Sequence, residues 1–303
     1  MKIKLLFLLT LLNINIYALE IQTFNNPNYL TKFSIFIPSA RFNALGNCGT
    51  ALSEGAESIF INPANTITNY KNSFFISHNF WLADILYDTL GYVLKIDENS
   101  SYGISISFIN YGNIETYDIS NDEEAIPLET VTPLSLILKF NSSRKIDNLK
   151  FGFNINYIKE DLIKAINEII TFDLGSNFSI ETLSLGLSFK NIGLDFNGYP
   201  IYKTLTLGIG YTITLKNIGN ITTETNFIYI LGNNVLISLG IEYTYNKIIA
   251  IRVGYQSDNS DAIGLTRIRT GIGIKYLLFN LDYAFEPFGD LGNSHKISAG
   301  FNF

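Results

Sequence analysis

The chain has 303 residues, of which 47% are hydrophobic and only 16% are charged, and its formal net charge is −6 at pH 7. A water-soluble domain usually carries about 25% charged residues, so the composition disfavours an ordinary soluble protein. The acidic balance argues against nucleic acid as a partner, because such binding relies on clustered lysine and arginine. With two histidines and one cysteine, we expect no internal disulfide, no enzyme activity, no cofactor and no metal site.

The first 18 residues predict a secretory signal peptide. Lys2 and Lys4 form a basic start, an apolar run follows from Leu5 to Leu12, and Ile16–Ala18 offers a cleavage site. The apolar run is too short to span a bilayer, which takes about 20 residues. We therefore expect an exported protein without a transmembrane helix.

Residues 19–71 are predicted to form an N-terminal plug or hatch segment. Its centre, Ser39–Asn65, is rich in small residues and does not have the alternation of a strand. The alternative is an ordinary helix packed against a sheet. Pro63 lacks a backbone donor and fixes φ, so we expect it to end a plug helix. Cys48 is expected to be a small buried residue rather than a reactive thiol.

From residue 72 to the end, the sequence alternates with the two-residue period of a β-strand. In the last run, Ile297, Ala299 and Phe301 share one face, while small or polar residues share the other. Apolar residues outside and small polar residues inside, over segments of about ten residues, are typical of a transmembrane β-barrel. The fourteen predicted segments are 72–80, 86–96, 101–110, 132–140, 149–159, 168–179, 182–191, 203–214, 221–230, 235–246, 249–256, 266–276, 278–286 and 294–303.

The connections between these segments alternate in length. Short links, such as residues 97–100, follow the even-numbered segments, and long links, such as 111–131, follow most odd-numbered ones. Short periplasmic turns and long outer loops are the usual asymmetry of an outer-membrane barrel. The link at 231–234 breaks the rule, so the two segments beside it are the weakest predictions.

Several residues in the wall and loops are candidates for ligand contact. Arg252, Arg267 and Arg269 are predicted to face the lumen, where they would bind an anionic head group or pair with nearby acids. We favour pairing, with Asp173, Glu224, Glu242 or Asp282 as the candidate partners. Phe80, Trp81 and Leu82 are predicted either to receive an apolar ligand or to join the aromatic belt at the membrane interface. The acidic runs 121–124 and 258–261 are expected to be solvated loop tips rather than calcium sites.

Three groups of motifs resemble those of the PorV/PorQ-like and, more distantly, the FadL-like outer-membrane barrels, and also those of uncharacterised spirochaete barrels. The first group lies in the plug, the second in the first hairpin and the third in the last hairpin. They are Ala40-Arg41, Leu45-Gly46, Gly49-Thr50-Ala51 and Asn62-Pro63-Ala64; Phe80–Ile85 with Tyr87-Asp88; and Leu281–Phe285, Pro287–Gly292 and His295–Ser298. Asn47, Cys48 and Asn65 depart from the usual pattern.

The resemblance implies an all-β, FadL-like transmembrane barrel of about fourteen antiparallel strands with an N-terminal plug, in the outer membrane. It implies binding or transport of hydrophobic small molecules such as long-chain fatty acids. The alternatives are a PorV-like scaffold that binds secretion-system proteins and a purely structural surface barrel. Plug or gating roles fall on Arg41, Gly46, Gly49, Asn62, Pro63 and Ala64. Aromatic residues near the end of the chain, Phe301 and Phe303, are expected to signal to the barrel-assembly machinery, and outer-membrane lipid would surround the wall.

Overall fold

The computed structural model describes residues 36–118, 126–161, 166–194, 201–216, 218–232, 235–257 and 267–303. The predicted signal peptide, residues 19–35 of the predicted plug segment and both acidic runs lie outside these residues.

Fourteen antiparallel strands form a closed barrel, in which the first strand pairs with the last. The predicted number of strands and the antiparallel order are confirmed, including the two strands beside residues 231–234. The strands of the wall are β1 Asn72–Phe80, β2 Leu86–Asp97, β3 Ser100–Asn110, β6 Leu134–Ile146, β7 Leu149–Asp161, β8 Ile166–Ile180, β9 Leu183–Ile192, β10 Thr204–Leu215, β11 Gly219–Ile230, β12 Val235–Tyr245, β13 Ile249–Gln256, β14 Ile268–Tyr276, β15 Phe279–Pro287 and β16 Asn293–Asn302.

The longest predicted loop contains a separate hairpin that the sequence analysis missed. It consists of β4 (Ile114–Asp118) and β5 (Ile126–Val131), which pair with each other and not with the wall. Their register shifts between Glu115 and Tyr117. Strands this short and irregular give little alternation to detect, and that is why the prediction of a plain loop was wrong.

Alternation along the strands separates the two faces of the wall. In β16, Ile297 is 44% exposed on the outer face, whereas the adjacent Ser298 is 2% exposed on the lumen face. The outer face carries leucine, isoleucine and phenylalanine, as a surface in contact with lipid requires. None of the helices in the described ranges is long and apolar enough to cross a membrane.

Residues 36–71 lie inside the barrel and form the plug. It contains one short α-helix, α1 (Ala40–Ala44), and two 3₁₀-helices, Gly55–Phe60 and Pro63–Thr66. The Ser39 hydroxyl accepts a hydrogen bond from the Phe42 backbone N–H and so caps α1. The prediction that Pro63 ends a helix is wrong, because Pro63 begins one. The first helical position needs no backbone donor and suits the fixed φ of proline.

Glycines on the lumen face of the wall allow the plug backbone to approach. A Cβ atom added at Gly152 would overlap the backbone at Pro63, and one at Gly186 would overlap the Thr50 carbonyl group. The same holds at Gly254, where the obstacle is the backbone of the Leu45–Gly46 link. The small residues predicted on the lumen face therefore include sites where the plug and the wall meet backbone to backbone.

Replacing Gly186 with valine is expected to push the plug away from the wall. Overpacking of this kind costs about 1–3 kcal/mol, so the midpoint of thermal unfolding, followed by gel mobility of heated samples, should fall. The matched control is Leu187→Val, at the neighbouring lipid-facing position of β9, where Leu187 is 45% exposed. An equal fall in both variants would contradict a plug contact at Gly186.

Candidate functional site

The plug divides the lumen into two spaces. The first, here called the outer cavity, opens toward the end of the barrel that carries the long loops and has a volume of about 150 Å³. The second, here called the vestibule, opens toward the end with the tight turns and measures about 640 Å³. A molecule that crosses the lumen would have to pass the plug between them.

Apolar and polar side chains line the outer cavity together. Its apolar lining comes from both the plug and the strands, and its polar lining includes one lysine, Lys190. The apolar residues are Phe36, Ile37, Ile61, Ile228, Ile230 and Leu236. The Lys190 ammonium donates a hydrogen bond to the Phe60 carbonyl oxygen at 3.1 Å. The Thr204 hydroxyl, also in the lining, has no hydrogen-bond partner among the described residues.

The arginines singled out in the sequence are engaged in ion pairs within the protein. Arg252 contacts Glu242 at 2.5 Å and Asp282 at 2.8 Å, so the favoured pairing is confirmed for this residue. Arg269 pairs with Glu286 at 2.5 Å, an acid that was not among the expected partners. Arg267 lies just before β14 and is partly buried. Since Arg252 and Arg269 are paired, their charges are balanced without a ligand.

Two of the expected acidic partners have other roles. Asp173 pairs with Lys139 at 3.1 Å rather than with an arginine. Glu224 accepts hydrogen bonds from the backbone N–H groups of Gly49 and Ala51, both at 2.9 Å. Of the four candidate acids, Arg252 thus pairs with Glu242 and Asp282. Strand parity places charges in the lumen but does not specify which neighbours they meet.

Arg41 fastens the plug to the wall on the vestibule side. Its Nε and Nη2 atoms donate hydrogen bonds to the two carboxylate oxygens of Glu242, at 3.0 and 2.9 Å. Burial alone would lower the pKa of Arg41. The carboxylates of Glu242 and Glu57 outweigh this effect, so the pKa of Arg41 is raised and its guanidinium stays charged. This two-point pair, supported on its other side by Arg252, is called the latch below.

Gly46 and Gly49 let the plug turn close to the wall. Both have positive φ, of 70° and 130°, which glycine adopts without the cost of a side chain. Gly46 lies against the backbone of Tyr255, and Gly49 donates to Glu224. Cys48, between them, is fully buried, and burial raises the pKa of its thiol, so it stays protonated. The expected role of a small buried residue is confirmed.

The Asn62-Pro63-Ala64 motif is both a capping turn and a plug contact. Asn62 donates to the Thr50 carbonyl within the plug at 2.7 Å and to the Ser176 carbonyl of the wall at 3.0 Å. Its Oδ1 atom accepts from the Ala64 backbone N–H at 3.2 Å. The Pro63 carbonyl accepts a hydrogen bond from Asn141 of the wall. A gating role for the motif remains a prediction.

The three residues of the first outer loop do not form one surface. Phe80 is 46% exposed on the lipid-facing side of β1. The Trp81 ring instead packs against Phe36 of the plug, with the centroids 4.2 Å apart. Leu82 begins a single 3₁₀ turn, Leu82–Asp84. Of the three, Trp81 is thus the one next to the outer cavity.

The aromatic residues at the end of the chain stack on both strands beside β16, on β15 and across the closing seam on β1. Phe301 stacks on Phe279 with the centroids 4.3 Å apart, and Phe303 stacks on Phe74 at 6.2 Å. The Phe303 backbone exchanges two hydrogen bonds with Asn72. Their role as an assembly signal remains a prediction.

Sequence reasoning missed Lys190, Glu286 and Asn43 as contributors to the site. The Asn43 amide donates to Glu286 at 2.9 Å, so Glu286 joins the plug to Arg269. Parity alone would have placed Lys190 and Glu286 in the lumen, since each is next to a lipid-facing residue. No local signal identified Asn43.

Comparison with known proteins agrees with this architecture. The Pseudomonas putida toluene transporter TodX is similar over 88% of this chain and 98% of its own, with 12% identity and a TM-score of 0.64. A Pseudomonas aeruginosa FadL homologue is similar over 88% and 98%, with 10% identity and a TM-score of 0.53. The fold is FadL-like. The monoaromatic hydrocarbon channel CymD is also similar, over 86% and 96% of the two chains, with 11% identity and a TM-score of 0.56.

A family model described as "Uncharacterised protein family (UPF0164)" matches residues 20–161 of this FadL-like barrel, which include the plug and the strands up to β7. No curated protein sequence matches the chain. The barrel fold resembles that of Gram-negative outer-membrane proteins. The narrower resemblance to PorV and PorQ stays a prediction.

Replacing Arg41 with methionine is expected to loosen the plug. The change removes two hydrogen bonds to a carboxylate, each worth about 1.5–3 kcal/mol, while Glu242 keeps Arg252 as a partner. In planar bilayers, open-channel events should become more frequent. Arg144→Met is the control, because Arg144 is exposed on the outer face of β6. Identical conductance in the two variants would contradict the latch.

The buried position of Glu57 predicts that the stability of the plug in its place inside the barrel depends on pH. Its carboxylate lies 4.0 Å from Arg41 and accepts a hydrogen bond from the Ser39 hydroxyl at 2.8 Å. Burial raises the pKa of Glu57 from 4.5 to about 7, although Arg41 and Ser39 oppose the shift. The protonated form of Glu57 therefore stabilises the seated plug. This contribution to stability is complete below pH 4.5 and is lost as the pH rises through about 7.

Channel conductance should accordingly rise between pH 5 and pH 8. Glu57→Gln, which mimics the protonated form, should flatten that rise. A pH profile that is the same in the wild type and in Glu57→Gln would show that another group is responsible.

Proposed function

We propose that this FadL-like barrel binds hydrophobic small molecules, such as long-chain fatty acids, and passes them across the outer membrane. The observation that carries the proposal is the outer cavity, where apolar side chains from the plug, β11 and β12 meet polar side chains from β9, β10, β11 and β13. Ligand sites are typically concave and mostly apolar, with a small number of polar anchors. The outer cavity offers both apolar lining and polar anchors, and it lies where a molecule arriving from outside would first meet the plug.

The size of the outer cavity supports a small apolar occupant. Its volume of about 150 Å³ is close to that of an engineered apolar cavity that holds benzene. A single aromatic ring, or the end of an alkyl chain, would fit without movement of the plug. TodX and CymD, which share the fold, are described as channels for toluene and for monoaromatic hydrocarbons, and this supports a ligand of the same class.

Lys190 offers a second level of selectivity. Its ammonium donates to a plug carbonyl and borders the outer cavity. A carboxylate ligand could take another of its three donors, because an ammonium group donates up to three hydrogen bonds. Fatty acids would then bind through both the alkyl chain and the head group, whereas toluene would use only the apolar lining.

A structural surface barrel with a closed lumen is the second candidate. The specific observation in its favour is the set of ion pairs that fills the lumen around the plug, such as Arg252 with Glu242 and Arg269 with Glu286. In this case the plug would never leave its seat, and the outer cavity would be an unused space.

Fluorescence of Trp81 can separate the two candidates, because it is the single tryptophan of the chain and contacts Phe36 of the outer cavity. Titration of the refolded protein with toluene or oleate should change the emission saturably. Thr206→Phe, which fills the outer cavity, should weaken binding at least tenfold, which corresponds to about 1.4 kcal/mol. Leu207→Phe, on the lipid face of the same strand, should bind normally.

Lys190→Met should weaken oleate and leave toluene unchanged. An absence of saturable binding of either ligand in the wild type would favour the structural barrel, and a search for secretion-system partners would then test the scaffold alternative. Equal weakening by Thr206→Phe and Leu207→Phe would place the ligand outside the outer cavity.

A further inference from the structure

Two ionisable side chains face the lipid on the first hairpin of the wall. His78 of β1 and Asp88 of β2 occupy facing positions, and the distance between His78 Nδ1 and Asp88 Oδ1 is 2.5 Å. Their side chains are 37% and 52% exposed, whereas the adjacent Ser77 and Thr89 are buried on the lumen side. Ionisable groups in contact with lipid are costly and therefore point to a function.

The pair lies one row of side chains below the loop end of the barrel. Phe80 faces Leu86 in the row above, and Ile76 faces Leu90 in the row below. All four flanking side chains belong to the outer face. The row below is apolar, whereas the row above continues with His295 on β16 and Asn110 on β3. This change from apolar to polar residues places His78 and Asp88 where the hydrocarbon of the outer leaflet meets the lipid head groups.

A groove of about 490 Å³ runs across the outer wall beside this pair. It lies between two rows of outward side chains on β16, β1, β2 and β3. The first row is Ile297, His78, Asp88 and Phe108, and the second is Ala299, Ile76, Leu90 and Ile106. Ala299 is the smallest of these residues, so a bulkier side chain at position 299 would fill part of the groove. The volume is within the range of about 300–1,000 Å³ found for ligand sites.

The chemistry of the groove matches that of a phospholipid. Its walls are apolar apart from the pair, so they suit an acyl chain, which is also the material around the barrel. Oδ1 of Asp88 is held by His78, while no hydrogen bond to Oδ2 occurs among the described residues. A free carboxylate oxygen at head-group depth complements a cationic N–H donor, and such charge-assisted bonds are the strong ones.

We propose that this groove is a specific binding site for a phospholipid with a primary ammonium head group, that is, one of the phosphoethanolamine class. One acyl chain lies in the groove between the two rows of side chains, and the ammonium group donates to Asp88. This site is on the outside of the wall and does not depend on the function proposed for the lumen.

Photo-crosslinking tests the proposal. The refolded protein is placed in phosphatidylcholine vesicles that contain a trace of phosphatidylethanolamine with a diazirine in its acyl chain, and cross-linked peptides are mapped by mass spectrometry. Labelling of β1 and β2 should exceed labelling of the opposite wall, β9 and β10, by about three- to tenfold. The same photo-lipid with a choline head group, which has no N–H donor, should show no such preference.

Two variants test which residues contact the head group and the acyl chain of the lipid. Asp88→Asn keeps the shape of the site and should abolish the preference for the ethanolamine head group. Ala299→Phe fills the groove and should reduce labelling of β1, whereas Thr270→Phe, on the lipid-facing side of β14, should not. Gel mobility of unheated samples checks that each variant has folded.

Two results would overturn the proposal. Labelling that is uniform around the wall would show that the groove holds no particular lipid. Cross-links between copies of the chain at β1, with no lipid preference, would make the groove an interface between subunits.

Discussion

Closure of the sheet is the constraint on which the rest of this structure depends. In hydrocarbon, a backbone N–H or C=O group without a partner costs several kcal/mol, so a sheet that crosses a membrane can have no open edge. Pairing of β1 with β16 meets this requirement, and the backbone bonds between Asn72 and Phe303 complete the seam. Closure also creates a lumen. Many side chains on its inward face are small, so they leave space that another part of the chain has to fill.

The plug resolves that problem by bringing its own backbone to the wall. At several wall glycines the plug chain approaches directly, and at several other positions a wall side chain bonds to a plug carbonyl or N–H group. Asn154 donates to the Ile59 carbonyl, Asn177 donates to the Ala51 carbonyl, and Glu224 accepts from two plug amides. These bonds give polar groups of the irregular plug backbone partners deep inside the barrel.

The packed plug also separates two regions of the lumen that differ in chemistry. The apolar outer cavity lies on one side of the plug and the latch of Arg41 and Glu242 on the other. Ile61 and Thr50, which line the outer cavity, belong to the plug, so a ligand bound there would contact the plug directly. Arg41 holds the plug to the wall, whereas Arg252 and Arg269 pair with acids of the wall, and Lys190 is the cation in the described lining of the outer cavity.

The sequence by itself determined the class of fold, the number of strands and their parity. These follow from the two-residue period, which decides for each residue whether it meets lipid or lumen. Only the tertiary structure decided which lumen residues pair, because partners such as Arg41 and Glu242 are 201 positions apart. It also decided that Pro63 begins a helix, that Trp81 turns inward to Phe36 while Phe80 faces lipid, and that His78 meets Asp88. Each of these depends on the register of neighbouring strands and on the path of the plug, which the period of a single strand does not contain.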